Sequence, residues 1–274
     1  GSGQWSFSFS DSRRKPVLNE QSGTGKSPVG RLGFEADGSW SHATRVLKRW
    51  KQGKARYFLV KTTDKSRKLK VAVSPAPGGS VRLTATIVGP LTGIESIGMA
   101  FKAPKSERYL GFGERSNSVD QRGNQVENWV GEGPYQKDEY QVVKFFVPEW
   151  GLRDRPDATY FPIPWLLSSA GYGVLVENPE PSYFNLGTDR KDTWSVQLNR
   201  TVADLPQQPD DTPPPRSITL RFFAGPKPAD VVRRMSGALG RQPDPDPVFF
   251  GPWLQSNESD ADTFDIVDQQ DVPT

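Results

Sequence analysis

The sequence predicts a mainly β fold, an antiparallel β-sandwich, with a single helix and the opening of a different architecture near its end. Three observations carry this. Apolar residues recur at every second position in several short runs, turn-forming pairs separate those runs, and no alternation of strand and helix suggests repeated βαβ units. With 26 Gly and 25 Pro among 274 residues, the chain has the turn residues that many short strands require; 34% hydrophobic and 11% aromatic content supplies a core.

Up to about residue 100 the pattern is strands and turns. Trp5, Phe7 and Phe9 alternate, as do Leu69, Val71 and Val73, and then Val81, Leu83, Ala85 and Ile87. Ala36-Asp37-Gly38-Ser39 and Pro77-Gly78-Gly79-Ser80 read as turns. A second group of strands is expected at 142–147, 163–168, 172–176, 183–186, 194–198 and 218–223. Between Ala203 and Arg216, Pro, Gln and Asp predominate, which favours an exposed insertion. The period then changes to about 3.6: Val231, Val232, Met235, Ala238 and Leu239 fall on one side of a helix, with Pro228 in its first turn and Gly240 as its C-terminal cap. Pro243, Pro245 and Pro247 bar any continuation, so the domain boundary is placed between residues 243 and 244. Beyond it, 248–254 is almost wholly apolar, as expected of a strand buried on both faces of a parallel sheet, and a helix is expected over 260–268.

Composition narrows the chemistry. There is no Cys and one histidine, His42, so no disulfide, thiolate nucleophile, Cys-based metal site or His-rich metal site is expected, and no metal or cofactor is implied. No run of eighteen apolar residues and no charged-then-apolar leader are present in the sequence, so no membrane partner is expected and the compartment is left open. Residues 1–70 carry 16 Lys or Arg against 5 Asp or Glu, although the whole chain is only +3. The basic run of Arg45, Lys48, Arg49, Lys51, Lys54 and Arg56 alternates with Trp50, Tyr57 and Leu59. That spacing fits the solvated face of a strand pair better than a nucleic-acid surface, and no nucleic acid is expected as a partner.

Three segments, in this order, resemble a known family. Gly111-Phe112-Gly113-Glu114-Arg115 is followed by Gln121-Arg122-Gly123-Asn124-Gln125 and Trp129-Val130-Gly131-Glu132; Gly171-Tyr172-Gly173 lies downstream, and Phe250-Gly251-Pro252-Trp253-Leu254-Gln255-Ser256 near the end. Together they are similar to the N-terminal part of the retaining α-glycosidases of glycoside hydrolase family 31. The strand before Gly171-Tyr172-Gly173 looks like that of bacterial members, some of them related to sulfoquinovosidases. The resemblance implies a galactose-mutarotase-like β-sandwich over residues 1–243, with an active-site loop near 114–140, followed over 244–274 by the first element of a (β/α)8 barrel. The remainder of the same enzyme would be a partner.

The same resemblance places Trp129 and Glu132 on a loop over the barrel mouth, forming sugar subsites, where many relatives have Asp at the position of Glu132. An aromatic platform beside a carboxylate suits the apolar faces and hydroxyls of a sugar. The alternatives are that Trp129 packs the loop and that Glu132 is merely solvated. Trp253 and Gln255 fall at the C-terminal end of the expected first barrel strand, where substrate-facing groups lie; for Gln255, capping of the next helix is the alternative. Glu114 is expected to be structural, and Trp165 is expected in the core rather than in a cleft. A retaining mechanism needs two carboxyl groups about 5 Å apart. The family's nucleophile motif does not occur here. Asp210 and Asp211 lie in the Pro-rich stretch, Asp260 and Asp262 at a helix start, so no catalytic residue is assigned and the chain alone is expected to be inactive. The function implied is the N-terminal portion of an α-glycosidase or α-transglycosylase acting on α-glucosides or related sugars. Competing readings are a free-standing carbohydrate-binding sandwich and a polyanion-binding module built on the basic N-terminal third.

Overall fold

A computed structural model describes residues 3–131, 158–202, 212–241 and 243–246. The expected strands at 142–147 and 248–254 and the expected helix at 260–268 lie outside these residues. The chain divides into two compact units, Gly1–Leu239 and Gly240–Thr274.

In the first unit the strands are β1 (Ser8–Ser10), β2 (Pro16–Asn19), β3 (Gly33–Ala36), β4 (Ser39–Gln52), β5 (Ala55–Thr62), β6 (Lys68–Ala76), β7 (Ser80–Val88), β8 (Ile94–Lys102), β9 (Tyr109–Gly113), β10 (Gln125–Asn128), β11 (Pro162–Ser168), β12 (Tyr172–Val176), β13 (Ser182–Asn185), β14 (Thr193–Asn199) and β15 (Ser217–Ala224). One helix follows, α1 (Pro228–Leu239). Apart from the β1–β2 pair, the order is β10-β13-β14-β8-β3-β4-β5-β6-β7-β15-β12-β11-β9, and every pairing is antiparallel.

Strand β4 joins two sheets. Its first residues, Ser39–His42, pair with β3, and from Ala43 onward it pairs with β5, with register shifts at Ala43/Arg45 and Val46/Lys48 that let the strand bend. The two sheets close over a shared core whose centre is aromatic. Trp194 of β14 is fully buried and stacks on Phe101 of β8 at 4.4 Å; its indole Nε1 donates to the hydroxyl of Tyr172 on β12, 2.9 Å away. Phe101 meets Phe222 of β15 edge-on at 6.2 Å, and Phe112 of β9 meets Phe184 of β13 at 5.0 Å. Alternation in β6, β7 and β15 delivers Leu69, Val71, Leu83, Ala85, Ile87, Ile218, Leu220 and Phe222 into this core.

The N-terminal run departs from simple alternation. Trp5 and Phe9 are buried, but only Ser8–Ser10 forms a strand. The amide of Phe7 instead donates to the carboxylate of Glu20, which also accepts from Trp5 Nε1 and from the amide of Leu32 at 3.0 and 2.8 Å. A buried side chain thus takes the place of a ladder partner. His42 is likewise structural: it is fully buried, with Nδ1 against the carbonyl of Arg31 and Nε2 against that of Ser27.

The helix also differs in detail. Val231, Met235 and Ala238, at i, i+4 and i+7, pack on Trp165, Leu167, Leu175 and Phe223 on the outer face of β11, β12 and β15, whereas Val232 and Leu239 are exposed. Five apolar residues exceed the width of stripe that a flat sheet can cover. Asp230 reaches back to the amide of Lys227 at the N-terminus, and Gly240 adopts φ +108° beyond the last turn, as a C-terminal cap requires. Of the Pro-rich stretch, residues 212–216 are held to the sheet rather than displayed: the carbonyl of Thr212 accepts from Arg200 Nε, that of Arg216 accepts from the amide of Ile87, and Pro215 is buried.

Candidate functional site

The segment Gly111-Phe112-Gly113 ends β9 in an unusual conformation, with φ values of +103°, +70° and +80°. Left-handed backbone over three residues costs little at glycine and is strained at Phe112. Contact with β11 enforces it. A Cβ on Gly111 would lie 2.3 Å from the carbonyl oxygen of Trp165, and one on Gly113 would lie 1.8 Å from that of Phe161. Pairing runs Leu166↔Gly111 and then Pro162↔Gly113, so β11 carries two extra residues over this stretch. Phe112 is turned inward and is fully buried.

Beyond the bulge the loop is braced by Arg115 rather than Glu114. Arg115 Nε donates to the carbonyl of Phe112 at 2.9 Å, and Nη2 donates to the carbonyl of Glu127 and to Oδ1 of Asn128 at 3.0 and 3.1 Å. Glu114 is exposed, and its side chain has no partner among the described residues; only its amide is fixed, to Phe161 O. A planar cation with five donors can tie both ends of a loop, which an exposed carboxylate cannot. Gln121, 1% exposed, organises the middle of the loop. Its Nε2 donates to Asn117 and Ser118, its Oε1 accepts from Asn117 and Asn124, and its amide donates to Tyr109 O. Arg122 extends to the carbonyls of Glu107 and Lys191 across the ring of Tyr109. In sequence these residues stood out only as part of a resemblance; the role of Arg122 depends on partners 15 and 69 positions away.

The loop returns through β10, which pairs with β13, and Tyr183 donates its hydroxyl to the buried carboxylate of Glu127. Asn128 is 8% exposed, and its Nδ2 has no acceptor among the described residues. Trp129 follows, 41% exposed, then Val130 at 58%. The amide of Gly131 donates to Thr159 O, bringing this run beside Tyr160, Phe161 and Ile163, which are also exposed. Exposed apolar residues of two segments joined by that hydrogen bond therefore lie where the braced loop ends. Glu132, Trp253 and Gln255 lie outside the described residues. Trp165 is 5% exposed and meets Phe223 edge-on at 5.4 Å, so it belongs to the core.

A second polar cluster, lying between the sheets, is structural. Ser168 Oγ donates to Glu107, whose carboxyl is raised by burial against the opposing pull of hydrogen bonds from Ser168 and Tyr172; burial also pushes up the phenols of Tyr109 and Tyr172. On the outer face of β7 and β15, Glu177 is gripped by Arg82 at 2.5 and 3.0 Å and by Arg221 at 3.3 Å.

Residues 88–185, which contain the bulge, the braced loop and Trp129, match the family model for the glycosyl hydrolase 31 N-terminal galactose mutarotase-like domain. An isomaltosyltransferase from Sporosarcina globispora is 28% identical over 184 residues, 66% of this chain and 14% of the relative; a sulfoquinovosidase from Agrobacterium fabrum is 28% identical over 190 residues, 66% of this chain and 26% of the relative. The chain thus spans about a quarter or less of these relatives' lengths. Solved structures show the same fold. A cycloalternan-forming enzyme from Listeria monocytogenes, in complex with a pentasaccharide substrate, has a TM-score of 0.52 and 17% identity, covering 75% of this chain and 22% of that one. A family 31 sulfoquinovosidase from E. rectale has a TM-score of 0.53 and 14% identity, covering 88% of this chain and 34% of that one. Over residues 88–185 this chain is thus similar to the N-terminal galactose mutarotase-like domain of glycoside hydrolase family 31, and it shares its fold with solved enzymes of that kind.

Proposed function

We propose that this chain is the N-terminal portion of a retaining α-glycosidase or α-transglycosylase acting on α-glucosides or related sugars. In this reading residues 1–243 form the β-domain, residues 244–274 open a (β/α)8 barrel, and the β-domain supports that barrel and shapes its outer subsites. The observation that carries it is the exposure of Trp129, Val130, Tyr160, Phe161 and Ile163, from two segments joined at Gly131 and Thr159, at the end of a loop tied down by Arg115. A loop tied down by Arg115 that leaves a tryptophan uncovered offers an apolar platform to a sugar or an adjoining domain. Trp129, Glu132, Trp253 and Gln255 are the substrate-binding residues of this proposal.

The reaction would proceed through a covalent glycosyl-enzyme intermediate, with both carboxyl groups supplied by the rest of the polypeptide. This chain contributes binding energy at a distance from the reacting bond, and such energy lowers KM when it is equal in ground and transition states. Two measurements test the proposal. Incubation of the chain alone with a nitrophenyl α-glucoside gives no turnover above a no-protein blank; turnover would refute the assignment. In the parent enzyme, Trp129→Ala raises KM for an α-linked oligosaccharide with little change in kcat, and unchanged KM would remove Trp129 from the site.

A further inference from the structure

The outer face of β4, β5 and β6 carries a cation cluster that the proposed function leaves unused. Cross-strand register places Arg45, Lys61 and Lys68 side by side on three adjacent strands, and Lys48 and Lys70 on either side of Leu59 in the next row of that face. All five cations are exposed. A third row holds Trp50 and Tyr57, stacked at 5.3 Å, with Lys48 Nζ 5.8 Å from the Trp50 ring. None of the five has an ion-pair partner among the described residues. The hairpin from Ser39 to Thr62 contains no Asp or Glu. Asp64, just beyond it, is taken by Arg67, and Glu177 by Arg82 and Arg221.

A face that is merely solvated mixes both signs, because like charges directly opposite one another on neighbouring strands oppose folding. Here Arg45 opposes Lys61, and Lys61 opposes Lys68. Strands stand about 4.8 Å apart, so the cluster presents charges at a spacing that repeated anionic groups along an extended polymer can match.

We propose that this face binds an acidic polysaccharide, a glycan bearing carboxylate or sulfate groups along its length, and so holds the enzyme on such a polymer at a site separate from Trp129. The choice of a glycan rests on the proposed glycosidase function. It also has support in the geometry. Trp50 is already stacked on Tyr57 at 5.3 Å, with Lys48 Nζ 5.8 Å from its ring, so less of it is open for a nucleic-acid base to stack on.

The test is retention of the chain on immobilised polygalacturonate and dextran sulfate, with neutral dextran as the control matrix. Two variants of equal charge loss are compared: Lys61→Gln/Lys68→Gln/Lys70→Gln on the face, and Arg13→Gln/Arg14→Gln/Lys15→Gln away from it. The face variant is expected to lose about tenfold or more in affinity, with a shallower salt dependence, while the other stays close to the parent. Equal losses in the two would mean that net charge alone is responsible, and would overturn the proposal. Duplex DNA competing as well as free polygalacturonate would overturn the choice of glycan. The face variant should also melt no lower than the parent, because it relieves repulsion; a lower melting temperature would refute the repulsive row. No turnover enters these measurements, so they stand or fall separately from the glycosidase assignment.

Discussion

Replacing Gly113 by alanine tests whether the Gly111-Phe112-Gly113 bulge is imposed by contact with β11 or only by local conformation. Gly113 sits at φ +80°, where an alanine costs about 1–2 kcal/mol. Its Cβ would also stand 1.8 Å from Phe161 O and 2.8 Å from Ile163 N, both backbone atoms. The Phe161 carbonyl cannot retreat freely, since it accepts the amide of Glu114 at 3.2 Å. Forcing extra volume between packed elements costs roughly 1–3 kcal/mol, so Gly113→Ala is expected to destabilise by about 2–5 kcal/mol in all. Gly123 provides the control: its φ is +87°, yet a Cβ there meets nothing within 4 Å, so Gly123→Ala carries only the conformational cost. Urea unfolding of the two variants beside the parent gives the difference, expected at about 1–3 kcal/mol. Equal destabilisation would show that the close approach of Phe161 is not a constraint, and the account of the bulge would fail.

Other outcomes follow from the same structure. Arg115→Lys keeps the charge but loses the fork to Phe112, Glu127 and Asn128, and should open the 114–131 loop to limited proteolysis at a cost of about 1.5–3 kcal/mol. Burial holds the Glu107 carboxyl above its ordinary 4.5, so the stability linked to its proton is fully present below pH 4.5 and is lost as pH rises through the folded-state value; in melting curves across pH, Glu107→Gln should flatten that loss. Glu177 has the opposite sign. Its partial burial is outweighed by hydrogen bonds from Arg82 and by the Arg82 and Arg221 charges, so it contributes stability above pH 4.5 that is lost as pH falls through its depressed value, and Glu177→Gln should remove this acid dependence from the same curves. Trp194→Ala empties the centre of the sandwich and should cost about 3–5 kcal/mol by urea titration.

Much of the fold was legible because alternation is a local property. A strand that is wet on one face and dry on the other writes a period of two into its own residues, and β7 and β15 could be placed within a residue or so from that alone. Where a side chain replaces a backbone partner, as Glu20 does for Phe7, alternation overstated the strand. The helix face was read too broadly for a similar reason. Periodicity counts apolar residues, but it does not say how wide a surface waits to cover them, and Val232 and Leu239 were left outside.

The sequence by itself determined the class, the family resemblance and the presence of Trp129 on a loop after a glycine-rich strand end, because each is written in contiguous residues. Only the tertiary structure decided that β4 bends to serve two sheets, that Arg115 and Gln121 rather than Glu114 hold the loop, and that five cations from three strands share one face. Those features depend on which residues meet across the chain. Register and closure fix such meetings, and no local stretch of sequence encodes them.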